Sequence, residues 1–311
     1  MPVRFTLRQL EYFVAVGELG SIVLASEKVN VSSPSISAAI SQLEKEFGLA
    51  LFVRKHAQGL TLTNAGRQMM QQAQTLLRDA DNLSAIASQI SGVVRGPLNV
   101  GCLLTFAQLV LPAVRRSFEA RYPDVQVRQF ELHQMDIFQR LRDAELDVAL
   151  SYDLDIPADL RFVPLVALPP LVMLAADHPL AGHAALRIED LATHEMVLLD
   201  LPHSNAYFTA FFTQAGLQPK VVERTRDMAV LRTLVANGYG YSIANTQPLT
   251  DRAPDGQPLV YVPLDGAARP LIMGLVMADG ADNALTIRAF VDHCAAEITN
   301  THVPGLRLQS G

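Results

Sequence analysis

The sequence predicts an α/β carboxyl-terminal half, made of two Rossmann-like lobes, preceded by an α-helical winged helix-turn-helix domain and a long linker helix. Three observations lead to this prediction. Two short amphipathic helical segments meet at a tight turn within residues 21–47, and a proline-free heptad pattern follows over residues 63–91. From residue 97 onward, strand-like apolar runs alternate with helical periodicity. A chain of 311 residues is long enough for such a multidomain protein.

The stretch SIVLASEKVNVSSPSISAAISQLEKEF, residues 21–47, predicts two short helices held across a turn. Ser21 and Ser32 are favourable N-caps of the two helices, Asn30 tolerates a left-handed turn conformation, and Pro34 fits the first turn of the second helix. The second helix has one apolar stripe: Ile36, Ile40, Leu43 and Phe47. A buried stripe beneath a small, polar outer face is typical of a helix-turn-helix, whose second helix enters the DNA major groove. Any two-helix hairpin shares this pattern, so the neighbouring segments are needed to distinguish an ordinary hairpin from a helix-turn-helix.

Those neighbours predict a winged domain over residues 1–62. Thr6 and Gln9 form a capping box that opens an earlier helix. We expect four apolar residues of that helix to face inward: Leu7, Leu10, Phe13 and Val14. Beyond the helix pair, short strand-like runs at 51–53 and 60–62 flank a basic loop, which is the pattern of a β-hairpin wing.

At this point the sequence resembles the LysR family of bacterial transcriptional regulators. The resemblance rests on LRQLEYFVAV at 7–16, on SIVLASEKVNVSSPSISAAISQLEKEFG at 21–48, on LFVRK at 51–55 and on LTLTNAGRQMM at 60–70. It is specific over residues 5–70 and follows the general layout of the family to about residue 300. It implies a DNA-binding head followed by an effector domain whose two lobes are periplasmic-binding-protein-like.

Candidate DNA contacts lie on the second helix and the wing: Ser32, Ser33, Pro34, Ser35, Ser37, Ala38, Ser41, Arg54, Lys55 and His56. The family usually has Gln or Arg where this chain has Ser33, Ala38 and Ser41. Serine hydroxyls can donate to phosphates or base edges, but they cannot make the bidentate contact that discriminates bases best. The basic wing residues are therefore strong candidates for groove or phosphate contacts, with a solvated charged loop as the alternative.

The linker, residues 63–91, carries a heptad of large residues and alanines: Met69, Ala73, Leu76, Ala80, Leu83, Ala87 and Ile90. A helix of about 28 residues spans roughly 40 Å. Because its apolar seam is narrow and otherwise bordered by polar residues, we expect it to pair with a second copy in a homodimer. The alternative is a buried helix of a single domain.

After a glycine-rich hinge at residues 92–97, the effector-binding domain is expected over 97–300. The resemblance assigns 97–165 and 268–300 to lobe I and 166–267 to lobe II, with 301–311 as a tail. Strands are predicted at 98–102, 125–132, 147–151, 171–175, 196–199, 221–224, 240–244 and 271–277, and helices at 106–121, 135–144, 205–215, 228–237 and 284–299.

Parallel sheets bind ligands beyond the carboxyl ends of their strands, so residues at predicted strand ends and helix starts are the effector-binding candidates. They are Cys102, Thr105, His133, Gln134, Ser151, Tyr152, Pro202, His203, Ser204, Met228, Asn245 and Thr246. The set offers hydroxyls, imidazoles and an amide but no arginine. It therefore suits a small organic acid or amino-acid-like metabolite better than a phosphate-rich nucleotide. A cleft filled by its own side chains is the alternative.

The sequence gives little support for an enzyme, a metalloprotein, an oxidant sensor or a solute-binding protein. The two cysteines have no metal-ligand spacing, the eight histidines are scattered, and no G-x-S-x-G, phosphate loop or H-E-x-x-H occurs. We therefore expect no enzyme activity, no metal and no cofactor, only a small-molecule co-inducer. Family members that sense oxidants use a closely spaced cysteine pair, which this chain lacks. A solute-binding protein would account for residues 97–300 but would need a signal peptide and would have no use for residues 1–90.

The expected partners are double-stranded DNA and the effector. Formal net charge is −6, yet residues 1–92 hold eight basic and seven acidic residues, so the acidity belongs to the rest of the chain. The resemblance implies that linker dimers join through effector domains into a homotetramer, with RNA polymerase as a further partner. Because neither a secretory signal nor a membrane span is evident, we expect a cytoplasmic protein with no membrane partner.

Overall fold

The computed structural model describes residues 4–55, 59–266 and 269–308. Contacts divide the chain into two compact units, residues 1–91 and residues 92–311. Within the described part, every helix is too short or too polar to cross a lipid bilayer.

The first unit contains four helices and a two-stranded antiparallel wing among its described residues. In chain order these are α1 (Leu7–Leu19), α2 (Ile22–Lys28), α3 (Ser33–Phe47), β1 (Phe52–Lys55), β2 (Gly59–Leu62) and α4 (Asn64–Ser91). The capping box at Thr6 and Gln9 is present, and Asn30 has φ of 52° in the turn before α3. The predicted winged helix-turn-helix is confirmed. The stripe on α3 is also confirmed, since Ile36, Ile40 and Leu43 are buried.

Two local expectations in this unit were wrong. Leu7 is 44% exposed, because the inward face of α1 is formed by Leu10, Phe13 and Val16 and no described element covers the first turn at Leu7. Ser32 occupies the N-cap position of α3, but its side chain does not cap the helix. Its hydroxyl instead lies 2.8 Å from the Ser35 hydroxyl.

Helix α4 contributes its first turns to the core of the first unit. Ala73 is buried with Leu10 and Phe13, and Met69 packs against the same cluster. By contrast, Leu76 and Leu83 are 41% and 67% exposed. The predicted seam is therefore divided. Its first two positions, Met69 and Ala73, pack against the core of the first unit, and its exposed apolar positions begin at Leu76.

Lobe I of the second unit is a five-stranded mixed sheet with helices packed on it. Its elements are β3 (Gly96–Leu103), α5 (Leu104–Leu109), α6 (Leu111–Arg121), β4 (Val125–Leu132), α7 (Gln134–Arg142), β5 (Val148–Tyr152), β6 (Leu160–Leu168), β12 (Leu271–Ala278) and α11 (Leu285–Glu297). The strand order is β4-β3-β5-β12-β6, with β3, β4 and β5 parallel and β12 antiparallel to both neighbours. The predicted βαβαβ start is thus present.

The single helix predicted at 106–121 is two helices, α5 and α6, separated at Val110. Pro112 in the first turn of α6 has no N–H to donate to a preceding carbonyl, so the hydrogen-bond ladder cannot continue across this point. A new helix, α6, begins there instead.

Lobe II contains β7 (Leu171–Ala175), α8 (Ile188–Leu191), β8 (Glu195–Leu199), α9 (Pro202–Gln214), β9 (Lys220–Thr225), α10 (Met228–Ala236), β10 (Ser242–Ala244) and β11 (Leu259–Pro263). Strand β7 lies between β10 and β11, antiparallel to both, and β8 pairs in parallel with β9. A parallel bridge between Met196 and Tyr241 connects these two sets. The core is rich in aromatic residues, including Tyr207, Phe208, Phe211 and Phe212.

Several segments of the second unit differ from expectation, among them the four-residue helix α8, which the sequence did not predict. Strands β6 and β11 fall where the sequence predicted no element. Both are edge strands, and neither shows a clear alternation of apolar and polar residues. The expected tail is packed as far as it is described: Val303 and Leu306 are buried in the lobe I core. Gly305 has φ of 76°, and a Cβ there would lie 1.9 Å from the Leu109 carbonyl oxygen, so only glycine fits.

Candidate functional site

The outer surface of α3 is the candidate DNA interface. Ser32, Pro34, Ser35, Ala38 and Ser41 are exposed, while Ser33 and Ser37 are half-buried. Because Ser33 donates from its hydroxyl to the Ser26 hydroxyl at 3.0 Å, it links α3 to α2. Its position favours a role in holding the helix pair together, whereas Ser41 presents its side chain outward.

Sequence reasoning did not select Lys45, which lies on the same face. Positions 34, 38, 41 and 45 follow one another at helical spacing, so the four side chains form one exposed line along α3. Lys45 is exposed and has no ion pair among the described residues. The same helical spacing that identified the buried stripe would have identified this cation.

The wing is fastened to α3 through Glu44. Its carboxylate accepts hydrogen bonds from the backbone N–H groups of Leu51 and Phe52, at 2.8 and 3.3 Å. In the hairpin, Arg54 pairs with Leu60 and Lys55 with Gly59, so both predicted basic residues lie near the tip of β1. His56 lies outside the described residues.

The second unit contains a cavity of about 270 Å³ between strand ends and helix starts of both lobes. Ten of the twelve predicted effector residues line it: Thr105, His133, Gln134, Tyr152, Pro202, His203, Ser204, Met228, Asn245 and Thr246. They come from the first turns of α5, α7, α9 and α10, from the end of β5 and from the segment after β10. The strand-end argument therefore brought together residues up to 141 positions apart, from Thr105 to Thr246.

Cys102 and Ser151 are not part of the lining. Strands β3 and β5 each continue one residue beyond the predicted end, so both side chains are fully buried within the sheet. Burial raises the pKa of the Cys102 thiol, and it raises the pKa of the other cysteine, Cys294, in the same core. Both thiols are therefore unsuited to thiolate chemistry.

The cavity also contains an arginine that the sequence analysis missed. Arg226 follows the end of β9 and lines the cavity beside Met228. Its guanidinium has no hydrogen bond or ion pair to any described residue. The expectation of a lining without arginine was wrong because β9 extends to Thr225, one residue beyond its predicted end, so that Arg226 follows the strand end at the cavity.

The walls of the cavity are mostly apolar and include Leu103, Leu104, Leu132, Leu199, Leu201, Phe208 and Leu271. Several of its polar groups are already used within the protein. Gln134 donates from Nε2 to the carbonyl oxygens of Tyr152 and Leu154, at 3.2 and 2.7 Å. Three hydroxyls, those of Thr105, Ser204 and Thr246, have no hydrogen-bond partner among the described residues.

His203 connects the two lobes at the cavity. Its Nδ1 lies 2.7 Å from a carboxylate oxygen of Asp155, and its Nε2 lies 3.2 Å from the sulfur of Met135. Met135 belongs to α7 of lobe I, whereas His203 belongs to the first turn of α9 in lobe II. The contacts of His203 with Asp155 and Met135 therefore join the two lobes beside the cavity.

A hydrogen-bonded chain lies where the backbone passes between the lobes. Asn245 donates from Nδ2 to the Leu168 carbonyl oxygen at 2.9 Å and to the Tyr207 hydroxyl at 3.0 Å. Tyr207 in turn donates to the carbonyl oxygen of Arg269 at 2.6 Å, and burial raises the pKa of Tyr207 to about 12. Arg269 forms an ion pair with Asp153. These contacts join both crossing segments, after Leu168 and before Leu271.

No group of three or more His, Cys, Asp or Glu side chains that could hold a metal ion occurs in the described part of the chain. The arrangement can bind a small anion with an apolar body, and the described residues supply no nucleophile paired with a base in the cavity.

Comparison with known proteins identifies both units. The family model for bacterial regulatory helix-turn-helix proteins of the lysR family matches residues 7–67, and the model for the LysR substrate binding domain matches residues 91–299. The DNA-binding transcriptional dual regulator OxyR of Escherichia coli K12 is 29% identical over 278 residues, covering 88% of this chain and 90% of that protein. The transcriptional activator protein LysR of the same organism is 26% identical over 291 residues, covering 93% and 92%.

Solved structures agree. HinK, a LysR family transcriptional regulator from Pseudomonas aeruginosa, is 32% identical, with a TM-score of 0.64 over 95% of this chain and 99% of that chain. The family consists of DNA-binding regulators rather than enzymes. With its helix-turn-helix head and its two-lobed substrate-binding domain both matched, the chain belongs to the LysR family of DNA-binding transcriptional regulators.

Proposed function

We propose that a small carboxylate bound in the cavity of the second unit modulates DNA binding or transcription activation by this regulator. The proposal rests on the presence of Arg226 in the cavity lining. It is the sole Lys or Arg among the described lining residues, it has no ion pair with a described residue, and that lining contains no Asp or Glu. An unpaired guanidinium among neutral side chains favours an anionic ligand that can accept two parallel hydrogen bonds.

The size and walls of the cavity narrow the ligand further. A space of about 270 Å³ holds a molecule of metabolite size, and the leucine and phenylalanine walls favour a modest apolar body. A single arginine can neutralise one carboxylate but not the several charges of a nucleotide triphosphate. The hydroxyls of Thr105, Ser204 and Thr246 remain to orient the polar end of the acid.

For the DNA side, we propose that α3 enters the major groove of an operator while the wing residues Arg54 and Lys55 contact the backbone or the neighbouring groove. Two heads joined through α4 would read two half-sites, and two such dimers would form the homotetramer. A DNA partner implies that the protein works in the cytoplasm.

The experiment is a thermal-melting screen of the full chain against mono- and dicarboxylic acids, followed by gel shifts with DNA from upstream of its own gene. We expect at least one acid to raise the melting temperature and to change the DNA complex. Arg226→Gln should weaken binding of that acid roughly 10- to 100-fold, the effect of losing a charged hydrogen-bonded pair.

The matched control is Arg224→Gln. Arg224 lies two residues from Arg226, and both side chains are exposed. Unlike Arg226, Arg224 does not line the cavity, and it forms an ion pair with Asp200 at 3.6 Å. This variant should bind the acid as the parent does. Equal binding by Arg226→Gln and the parent would show that Arg226 does not hold the ligand, and a screen in which no acid binds would contradict the proposed effector class.

A further inference from the structure

Acidic side chains border the cavity, yet none of them lines it. Each one is next to a lining residue in the chain, or is in contact with a lining residue. They are Glu131, Asp136, Asp153, Asp155, Asp200 and Asp227. Most of these carboxylates already have partners elsewhere in the protein.

In lobe II the two bordering carboxylates are bound at the starts of helices. Asp227 directly follows Arg226, but its Oδ1 accepts hydrogen bonds from two backbone N–H groups in the first turn of α10, at 2.7 and 3.0 Å. Asp200 accepts a hydrogen bond from Nδ2 of Asn205 in α9 at 2.6 Å and forms an ion pair with Arg224. Neither carboxylate is therefore left for a ligand.

Two further carboxylates follow strand β5, and both are occupied as well. Asp153 forms an ion pair with Arg269 and accepts a hydrogen bond from the backbone N–H of Ile272 at 2.8 Å. Asp155 lies 2.7 Å from Nδ1 of His203, the histidine that lines the cavity. Since each of these contacts also ties two segments of the chain together, releasing the carboxylate would cost that connection.

The last two bordering carboxylates are exposed and lie outside the lining. Glu131 accepts a hydrogen bond from Nε2 of Gln129 on the same strand at 2.8 Å, and Asp136 lies in the first turn of α7. The described lining thus combines one guanidinium, that of Arg226, with hydroxyls, amides and imidazoles, and it has no carboxylate. An ammonium group placed there would lose its hydration without gaining an anionic partner.

We propose that the effector is an acid without an ammonium group, so that the cavity selects hydroxy or unsubstituted acids against amino acids of the same skeleton. An amino acid requires a cation for its carboxylate and an anion for its ammonium, and the described lining supplies only the cation. A hydroxyl in the place of the ammonium can bond to the hydroxyls of Thr105, Ser204 or Thr246, which accept as well as donate. This inference rests on the proposed function, since it assumes that a carboxylate binds Arg226.

The test is a titration of the full chain with amino acids and with the hydroxy and unsubstituted acids of the same skeleton and configuration. The sets are alanine, lactate and propionate; leucine, leucate and isocaproate; and phenylalanine, phenyllactate and hydrocinnamate. Because a hydroxyl and an ammonium are similar in size, the first two members of each set differ mainly in charge. In the set that binds, we expect the hydroxy acid to bind at least about tenfold more tightly than the amino acid at neutral pH.

Two variants supply the missing anion, one in each lobe. Ser204→Asp changes the first turn of α9 and Thr105→Asp the first turn of α5, where an acidic side chain is favourable for a helix. At least one of them should raise the affinity for the amino acid, relative to the hydroxy acid, by about tenfold or more. Ser204→Asn and Thr105→Asn are the matched controls, because asparagine has nearly the shape of aspartate without its charge. They should keep the order of preference of the parent protein.

Each result decides the inference. An amino acid that binds the parent protein as tightly as its hydroxy acid would overturn it; the proposed function would still stand if Arg226→Gln weakened both. The same ratio of affinities in the Asp variants and their Asn controls would overturn the role of charge. Failure of every acid to bind, here and in the melting screen, would defeat the proposed function and this inference with it. Should both Asp variants fail to fold, the comparison of hydroxy and amino acid in the parent protein decides alone.

Discussion

Buried titratable side chains in the effector unit are held in their neutral forms. Burial raises the thiol pKa of Cys102 and Cys294 and the phenol pKa of Tyr152, and it lowers the pKa of the imidazole of His293. In each case removing water from around the group disfavours its charged state. For the two cysteines this rules out an easily formed thiolate. For His293 it links folding stability to pH.

We predict that the stability of the effector unit falls as pH drops below about 6.5, with His293 as one cause. His293 is buried against Phe118 and lies 2.8 Å from the Ser117 hydroxyl. Burial is the largest influence on its pKa; Arg121 also lowers it, while Glu297 and the Val114 carbonyl partly oppose the shift. Since the folded pKa is depressed, the unfolded chain binds more protons below the ordinary value. Stability is therefore fully present above pH 6.5 and is lost as pH falls through the folded pKa.

Urea unfolding of the parent and of His293→Gln, repeated across this pH range, would measure the effect. The variant should show a shallower dependence on pH than the parent. His183→Gln is the matched control, because His183 is exposed and its imidazole hydrogen-bonds, among the described residues, to the Leu180 carbonyl oxygen in its own turn. Parallel curves for the parent and His293→Gln would exclude His293 as a source of the pH dependence.

At the scale of the element, α3 shows how one helix serves two surfaces. Ile36, Ile40 and Leu43 fix it in the core, while Ala38 and Ser41 lie on its exposed side. The small exposed side chains permit close approach to another surface, but they supply no charge. Lys45 supplies one at the end of the same exposed line, so the electrostatic share of DNA binding by α3 should depend on it.

We predict that Lys45→Ala weakens operator binding to a similar extent on all DNA sequences and lowers the slope of log affinity against log salt by about one. Lost phosphate neutralisation is the physical reason. Fluorescence anisotropy at several salt concentrations would measure both quantities. Lys28→Ala provides the control, since the Lys28 ammonium is already paired with Glu18 at 2.7 Å and should contribute less to the slope. An unchanged slope in Lys45→Ala would remove Lys45 from the interface.

At the scale of the whole molecule, binding to DNA through several heads at once would compensate for weak electrostatics. The chain carries a net charge of −6, and the DNA-binding part is close to neutral. Several heads bound at once would supply the affinity that one head lacks. The exposed positions of α4, Leu76 and Leu83, are the surface on which two chains could pair, with Ala80 half-buried between them.

We predict that Ala80→Glu separates the chains that pair through α4. Two carboxylates facing each other in a narrow apolar seam would repel and would lose hydration. Light scattering should show residues 1–92 changing from dimer to monomer, and the full chain changing from tetramer to dimer. Gln72→Glu adds the same charge at an exposed position outside the seam and should leave the mass unchanged. A dimer that survives Ala80→Glu would contradict pairing at this seam.

The sequence by itself determined the order of the domains: a winged helix-turn-helix, a linker helix and a two-lobed α/β domain. Helical periodicity and caps identified the helix pair, since local backbone chemistry decides where a helix begins and ends. Strand ends identified ten of the twelve predicted cavity residues, because parallel strands place their carboxyl ends at one edge of a sheet. The family motif around residues 21–48 then connected this local pattern to DNA binding.

Tertiary structure decided what depends on exact neighbours. A one-residue extension of β3 and β5 buries Cys102 and Ser151, and the end of β9 at Thr225 places Arg226 at the cavity. The seam of α4 is divided because α1 covers Ala73, a contact between helices distant in sequence. The state of Asn245 likewise depends on Leu168 and Tyr207, which lie 77 and 38 residues away, and no local pattern in the sequence encodes such contacts.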